Sequence, residues 1–161
     1  MKTTTLLAAT ATVALALLGG CATTPAPTTI TDTAARTPQL STLTRLIADA
    51  GLADTLRGAG PFTVFAPSDE AFKAVPAKTL QELSSNKELL KSVLTSHVVP
   101  GKVMAAQVKN GNTKTLQGAN VALASAGAYV TVEEAVVQQA DVAATNGVVH
   151  IIDRVLMPPK K

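Results

Sequence analysis

Two histidines hold most of the chemistry this chain could offer: His97, beside Ser96, and His150, which precedes Asp153 in "HIID". A serine that passes its proton to a histidine is an acyl-transfer nucleophile, and an aspartate that orients such a histidine completes the set. The spacing argues against both pairs. Ser96 and His97 fall in an extended "SHVV", where neighbouring residues face opposite ways. His150 and Asp153 fall on the predicted last strand, Val148 to Leu156, again on opposite faces. His150 instead shares a face with Val148 and Ile152, which predicts a half-buried imidazole bonded to nearby backbone and fixing the strand's register. No G-x-S-x-G elbow occurs. The histidines lie 53 residues apart with no third, so no metal set is expected. Asp69 and Glu70 resemble an acid pair, but they follow Ser68, a good N-cap, and occupy a first helical turn where the helix dipole favours negative charge. These residues predict neither an enzyme nor a cofactor.

The elements that must position them read as follows. "STLTRLIADAG" predicts a helix with Ser41 as N-cap, Leu43, Leu46, Ile47 and Ala50 on one face, and Gly51 at its end. Leu52 to Arg57 makes a further short helix. "PFTVFAP" is a strand stopped by Pro67, and "SDEAFKAV" is the helix that Ser68 caps. Two more helices follow, the second starting near Asn86 with Leu89, Leu90, Val93 and Leu94 on its apolar face, before a Pro100-Gly101 turn. "KVMAAQVKNG" holds a short helix. Short strands of Val, Ala, Thr and Leu then run to the end, parted by Gly and Asn. Asn146-Gly147 is the strongest hairpin signal, since both residues accept the positive φ of a type I′ turn. Helices first and strands afterwards predict an α+β fold with an antiparallel sheet or sandwich.

The N-terminus, "MKTTTLLAATATVALALLGGC", has a positive start and an uncharged run from Leu6 to Leu18 that falls short of the ~20 residues a bilayer requires. It is expected to be a secretory signal. Leu18-Gly19-Gly20-Cys21 resembles the lipobox of bacterial lipoproteins, which implies cleavage between Gly20 and Cys21 and acylation of Cys21. Cys21 is the only cysteine, and two or three acyl chains on one residue anchor a protein stably. Ala22 follows it, which resembles the pattern sorted to an outer membrane where the host has one. Ala22 to Pro38 contains seven threonines and three prolines and is expected to be an extended tether. The expected organisation is a signal peptide at 1–20, the lipidated cysteine and tether at 21–38, and one folded domain at 39–159. With residues 1–20 removed, 13 basic side chains face 11 acidic ones, a net +2, and Lys160 and Lys161 supply that excess. No basic stripe exists, so no nucleic-acid partner is expected.

Three stretches, in order, are similar to a fasciclin-like domain. "FTVFAPSDEAFKAVP" resembles that family's first signature. "LLKSVLTSHVVPGKV" resembles its central histidine motif, with Ser96 where a tyrosine is usual. "ADVAATNGVVHIIDRVLMP" resembles its second signature. The resemblance implies a wedge of two small β-sheets, a β-sandwich, with several short helices packed around it. It implies a mainly structural His97, with the tyrosine-histidine motif also tied to adhesion. It further implies that Asp141-Val142 occupies the place of an Asp-Ile pair linked to integrin binding in animal relatives.

Three functions are weighed on this basis. The first is an extracytoplasmic, membrane-anchored lipoprotein that binds a protein or glycan of the envelope or matrix, with Asp141, Val142 and His97 as candidate binding residues. The second is a carrier of an apolar small molecule held between helices and sheet. The third and weakest is an esterase.

Overall fold

In a computed structural model, residues 28–127 and 129–157 are described; Cys21 and the expected signal peptide before it, including Gly20, lie outside them. Helix α1, Ile30–Arg36, opens the described chain inside the expected tether. The tether boundary at Pro38 is therefore corrected: Thr29 caps α1 by accepting the Asp32 N–H, and the Asp32 side chain returns the bond to the Thr29 N–H, a reciprocal box that satisfies two otherwise orphaned donors. Ile30 and Ala34 are buried and pack with the core of the domain. A threonine-rich segment thus joins the fold through one large apolar side chain and a cap.

Five more helices follow: α2 (Ser41–Asp49), α3 (Ala53–Arg57), α4 (Asp69–Ala74), α5 (Ala77–Ser85) and α6 (Lys87–Ser96). Gly51 ends α2 at φ +67, the left-handed value that favours glycine. Ser41 is not the cap of α2; it is the first helical residue, and its hydroxyl donates 2.7 Å to Asp69 of α4. Asn86 caps α6 by accepting the N–H groups of Glu88 and Leu89, both at 3.1 Å. Helix α6 runs further than the extended "SHVV" predicts, because Ser96 is its last residue and His97 is its cap at φ −84, ψ −4.

The strands are β1 (Phe62–Pro67), β2 (Val98–Pro100), β3 (Gly111–Lys114), β4 (Asn120–Ala126), β5 (Tyr129–Val132), β6 (Ala135–Ala144) and β7 (Gly147–Ile152). They form one seven-stranded sheet in the order β2-β1-β7-β6-β5-β4-β3, not two sheets of a sandwich. The sheet is mixed: every other pair is antiparallel, but β1 runs parallel to β7, with Phe65 opposite His150. It curls until its edges meet, and Leu116, just beyond β3, donates its N–H to Val98 of β2 at 2.8 Å.

Curling gives the sheet two apolar faces. Val64, Ala66, Val149 and Ile151 point outward into a layer with Leu43, Ile47, Leu90 and Leu94 of the helices. Phe65, Val99, Val121, Leu123, Val130, Val132 and Ile152 fill the inside of the curl, and Leu156 closes one end of it. Strand alternation sends successive residues of β1 and β7 to these two cores. Strand β7 stops at Ile152, four residues short of the expected end. Asp153 there exchanges two bonds with Val136, donating its N–H at 3.1 Å and accepting at Oδ1 at 2.7 Å.

Candidate functional site

His150 is 1% exposed and stacks on Phe65 with ring centroids 5.5 Å apart. Nε2 donates to the Val103 carbonyl at 2.8 Å and Nδ1 accepts the Asp141 N–H at 3.2 Å. Its nitrogens are both committed to backbone, and the ring is fully buried rather than half-buried. Asp153 points elsewhere, into the Val136 pairing just described.

Asp141 sits in a bulge of β6: the register shifts between Gln139, opposite Ile151, and Val142, opposite Val149. The extra residue puts Asp141 at φ 57, an uncommon value for a side-chain-bearing residue. The bulge turns its N–H toward His150 and its carboxylate outward, where Oδ1 accepts the Ala105 N–H at 2.8 Å. Asp141 is exposed and Val142 is half-buried against the helical layer. His150, Val103, Ala105 and Asp141 therefore form one brace between the β2–β3 connection and the last hairpin.

His97 makes a second brace. Its ring is 2% exposed, Nδ1 bonds Val93 of α6 at 2.7 Å, and Nε2 accepts the Leu156 N–H at 2.9 Å. The two histidines thus hold opposite neutral tautomers. Burial pushes the His97 pKa down to about 4, against which the Val93 carbonyl pulls upward. Ser96, on the helix, turns its hydroxyl to Ser92 at 2.8 Å and to Gln117. It makes no bond to His97, though for a helical reason rather than the strand reason inferred from sequence.

Ser68 caps α4 through a 3.3 Å bond from the Ala71 N–H. Asp69 serves a neighbour as well: it accepts the Ser41 hydroxyl and, at 2.9 Å, the Thr42 N–H, so it caps α2 from across the helical layer. Partial burial works to raise its pKa, but these bonds outweigh it and hold the carboxyl below its usual value.

Asn146 and Gly147 do form the β6–β7 hairpin, but neither has positive φ, so the type I′ expectation is corrected. Asn146 is used for its side chain. Oδ1 accepts the Ile30 N–H at 3.0 Å, and Nδ2 donates to Leu56 at 2.6 Å and Gly58 at 3.2 Å. Gly147 is needed for closeness: a Cβ there would collide with the Phe62 carbonyl and come within 2.9 Å of Ile30 Cδ1. The sequence also hid Thr63, fully buried at 0% exposure, which donates to Gly101 at 2.7 Å and accepts the Val103 N–H at 2.8 Å.

Among the described residues no group of three or more His, Cys, Asp or Glu side chains could hold a metal. The apolar gap between helices and sheet, lined by Leu43, Ile47, Leu56, Val64 and Leu94, measures about 20 Å³. Small-molecule sites run to ~300 Å³ and above. Two open clefts are larger: one of about 790 Å³ beside α4, with Pro38, Asp69, Phe72 and Leu80, and one of about 460 Å³ at the end of the curl, with Ser96, Glu134, Arg154, Leu156 and Met157.

Residues 38–158 match the family model described as "Fasciclin domain". Protein sll1483 of Synechocystis is 45% identical over 133 residues, covering 81% of this chain and 74% of its own. The Immunogenic protein MPB70 of Mycobacterium bovis is 43% identical over 131 residues, covering 78% and 67%. The Cell surface glycolipoprotein MPB83 of Mycobacterium bovis is 40% identical over 131 residues, covering 78% of this chain, which spans 59% of that protein's length. The solved FAS1 domain pair of the insect cell adhesion molecule Fasciclin I aligns with a TM-score of 0.64 at 19% identity, over 81% of this chain and 51% of that one. At that identity the likeness is one of fold.

Proposed function

The chain belongs to the fasciclin family, and from that premise we propose that it is an extracytoplasmic binding module, held on a membrane by acyl chains on Cys21. It engages a protein or glycan of the envelope or matrix. One observation carries the reading: both ring nitrogens of both histidines are bonded to backbone, so the groups best suited to turnover are spent on holding a rigid platform. The likeness to MPB83, a cell surface glycolipoprotein, supports the location and the anchor. Asp141 is the candidate contact, because its side chain is exposed and the Ala105 N–H holds its carboxylate in place at the surface. The carrier reading has less support, since the gap between helices and sheet, about 20 Å³, is far below the ~300 Å³ at which small-molecule sites begin.

The test combines anchor and binding. In the source organism, radiolabelled palmitate is expected in the wild-type protein and absent from Cys21→Ala, which should leave the membrane fraction. Wild-type protein restored to a deletion strain is expected to recover cell adhesion or matrix retention, and Cys21→Ala to fail. Unlabelled wild-type protein, or adhesion unaffected by the deletion, would refute the proposal.

A further inference from the structure

In the segment Val155–Met157, which follows β7, Leu156 alone is fully buried, while Val155 rests half-buried against the helical layer and Met157 is exposed. Leu156 fills the end of the inner core, and its N–H ends on His97 Nε2 at 2.9 Å, while His97 Nδ1 is held by Val93 at 2.7 Å. The imidazole is thus the link between helix α6 and the residue closing the curl. The 460 Å³ cleft lies at the same place, with Ser96, Val121, Ala135, Val155, Leu156 and Met157 in its walls. A proton added to His97 must go to Nε2, since Nδ1 already donates. Nε2–H then faces the Leu156 N–H, donor against donor, and a charge is left in an apolar site. Both penalties vanish if the segment swings away and water reaches the ring.

We propose that Val155–Met157 is an acid-released closure over the end of the curled sheet, with His97 as its latch. Release exposes the inner-core side chains Val121 and Ala135 at the cleft and leaves the rest of the sheet paired. No neighbouring charge sets the latch. On α6 itself Lys87, Glu88 and Lys91 are exposed. Strands β1 and β2 and the Leu116-Gln117 turn bring no ionisable group. In the helical layer Arg45 and Asp49 of α2 are exposed, and Asp54 and Arg57 of α3 pair at 3.7 Å. Beyond β7, Asp153 bonds Val136 and Arg154 pairs with Glu134 at 3.5 Å, and Glu133, in the cleft wall, accepts the Ala122 N–H at 2.8 Å. Burial holds the ring's pKa at about 4, below the ordinary histidine value of 6.5. A latch that titrates at 6.5 when open and near 4 when closed favours opening by about 200-fold more at pH 3.5 than at pH 7.5.

Amide hydrogen exchange of the whole folded chain, followed residue by residue with NMR and expressed as protection factors, tests this. Leu156 is expected to lose protection by about 200-fold as the pH falls from 7.5 toward 3.5. It should exchange faster than Val149 and Ile151 at every pH, with little dependence on added denaturant. His97→Gln, which keeps an amide donor and acceptor but cannot titrate, should hold Leu156 protection constant. If Leu156 and Val149 show the same protection and the same denaturant slope, opening is global and the closure does not exist. A Leu156 protection that ignores pH, or a wild-type His97 resonance titrating near 6.5, also overturns it, and both are readable should the variant fail to fold.

Discussion

Replacing Asn146 by alanine removes three bonds at once, from Ile30 at 3.0 Å and to Leu56 at 2.6 Å and Gly58 at 3.2 Å. The side chain joins α1, α3 and the β6–β7 hairpin, which are far apart in sequence. A net hydrogen bond contributes ~1 kcal/mol, and a partner left unsatisfied in a partly buried place adds to the loss. Asn146 is half-buried, so water rescues part of that, and the net cost is about 2–3 kcal/mol. For ~130 folded residues the unfolding entropy is ~0.27 kcal/mol/K, which converts the loss to a Tm drop of about 7–11 °C. Differential scanning calorimetry at pH 7 measures it, with the exposed Asn112→Ala on β3 as control. A drop under about 2 °C, or one equal to the control's, would refute the reasoning, because Asn146 would then be a turn residue and nothing more.

Four further outcomes are expected. Ile30→Ala should cost about 2–4 kcal/mol in urea unfolding, since Ile30 is 1% exposed; an unchanged midpoint would restore the tether reading. Gly147→Ala should cost about 3 kcal/mol or more, because the added methyl meets backbone; wild-type stability would contradict the close approach. Asp141→Ala should destabilise by about 1–2 kcal/mol while Asp141→Gly stays near wild type, because glycine relieves the positive φ as it loses the Ala105 bond; equal losses would remove strain from the account. Global stability should fall by about 3 kcal/mol as the pH drops from 6.5 toward 4. The His97 pKa is lowered to about 4 by folding, so the stability its neutral ring confers is complete above the unfolded value and lost through the folded one. Equilibrium denaturation at pH 7 and pH 4 reads this, and a flat profile would contradict it.

Local signals were legible where the residues that decide an element sit side by side. The run of β1 into the Ser68-capped α4, and the split of α5 from α6 at Asn86, follow from proline, cap and apolar spacing. What depended on distant partners was not. The parallel pairing of β1 with β7 joins segments at opposite ends of the domain, and no periodicity records it. Helix α1 was masked by the threonines and prolines around it, although Thr29 and Asp32 stand at capping-box spacing and Ile30 supplies the anchor. Asn146-Gly147 marked the right turn for the wrong cause: the dipeptide suits positive φ, but here amide bonding and the lack of a Cβ matter. His97 and Ser96 lay at a helix end read as strand, since "SHVV" is β-rich and a helix end is decided by what its last residues meet. The brace from His150 to Asp141 rests on a β-bulge, which a sequence marks only weakly.

The most direct test of the binding-module account is native mass spectrometry of the protein extracted gently from its own host membranes, with small molecules and co-eluting macromolecules both read out. The account predicts a chain beginning at Cys21 with its acyl groups, associated with a protein or glycan and free of any stoichiometric small molecule. A small apolar molecule bound one-to-one, beyond the acyl groups, would contradict it and make the chain a carrier.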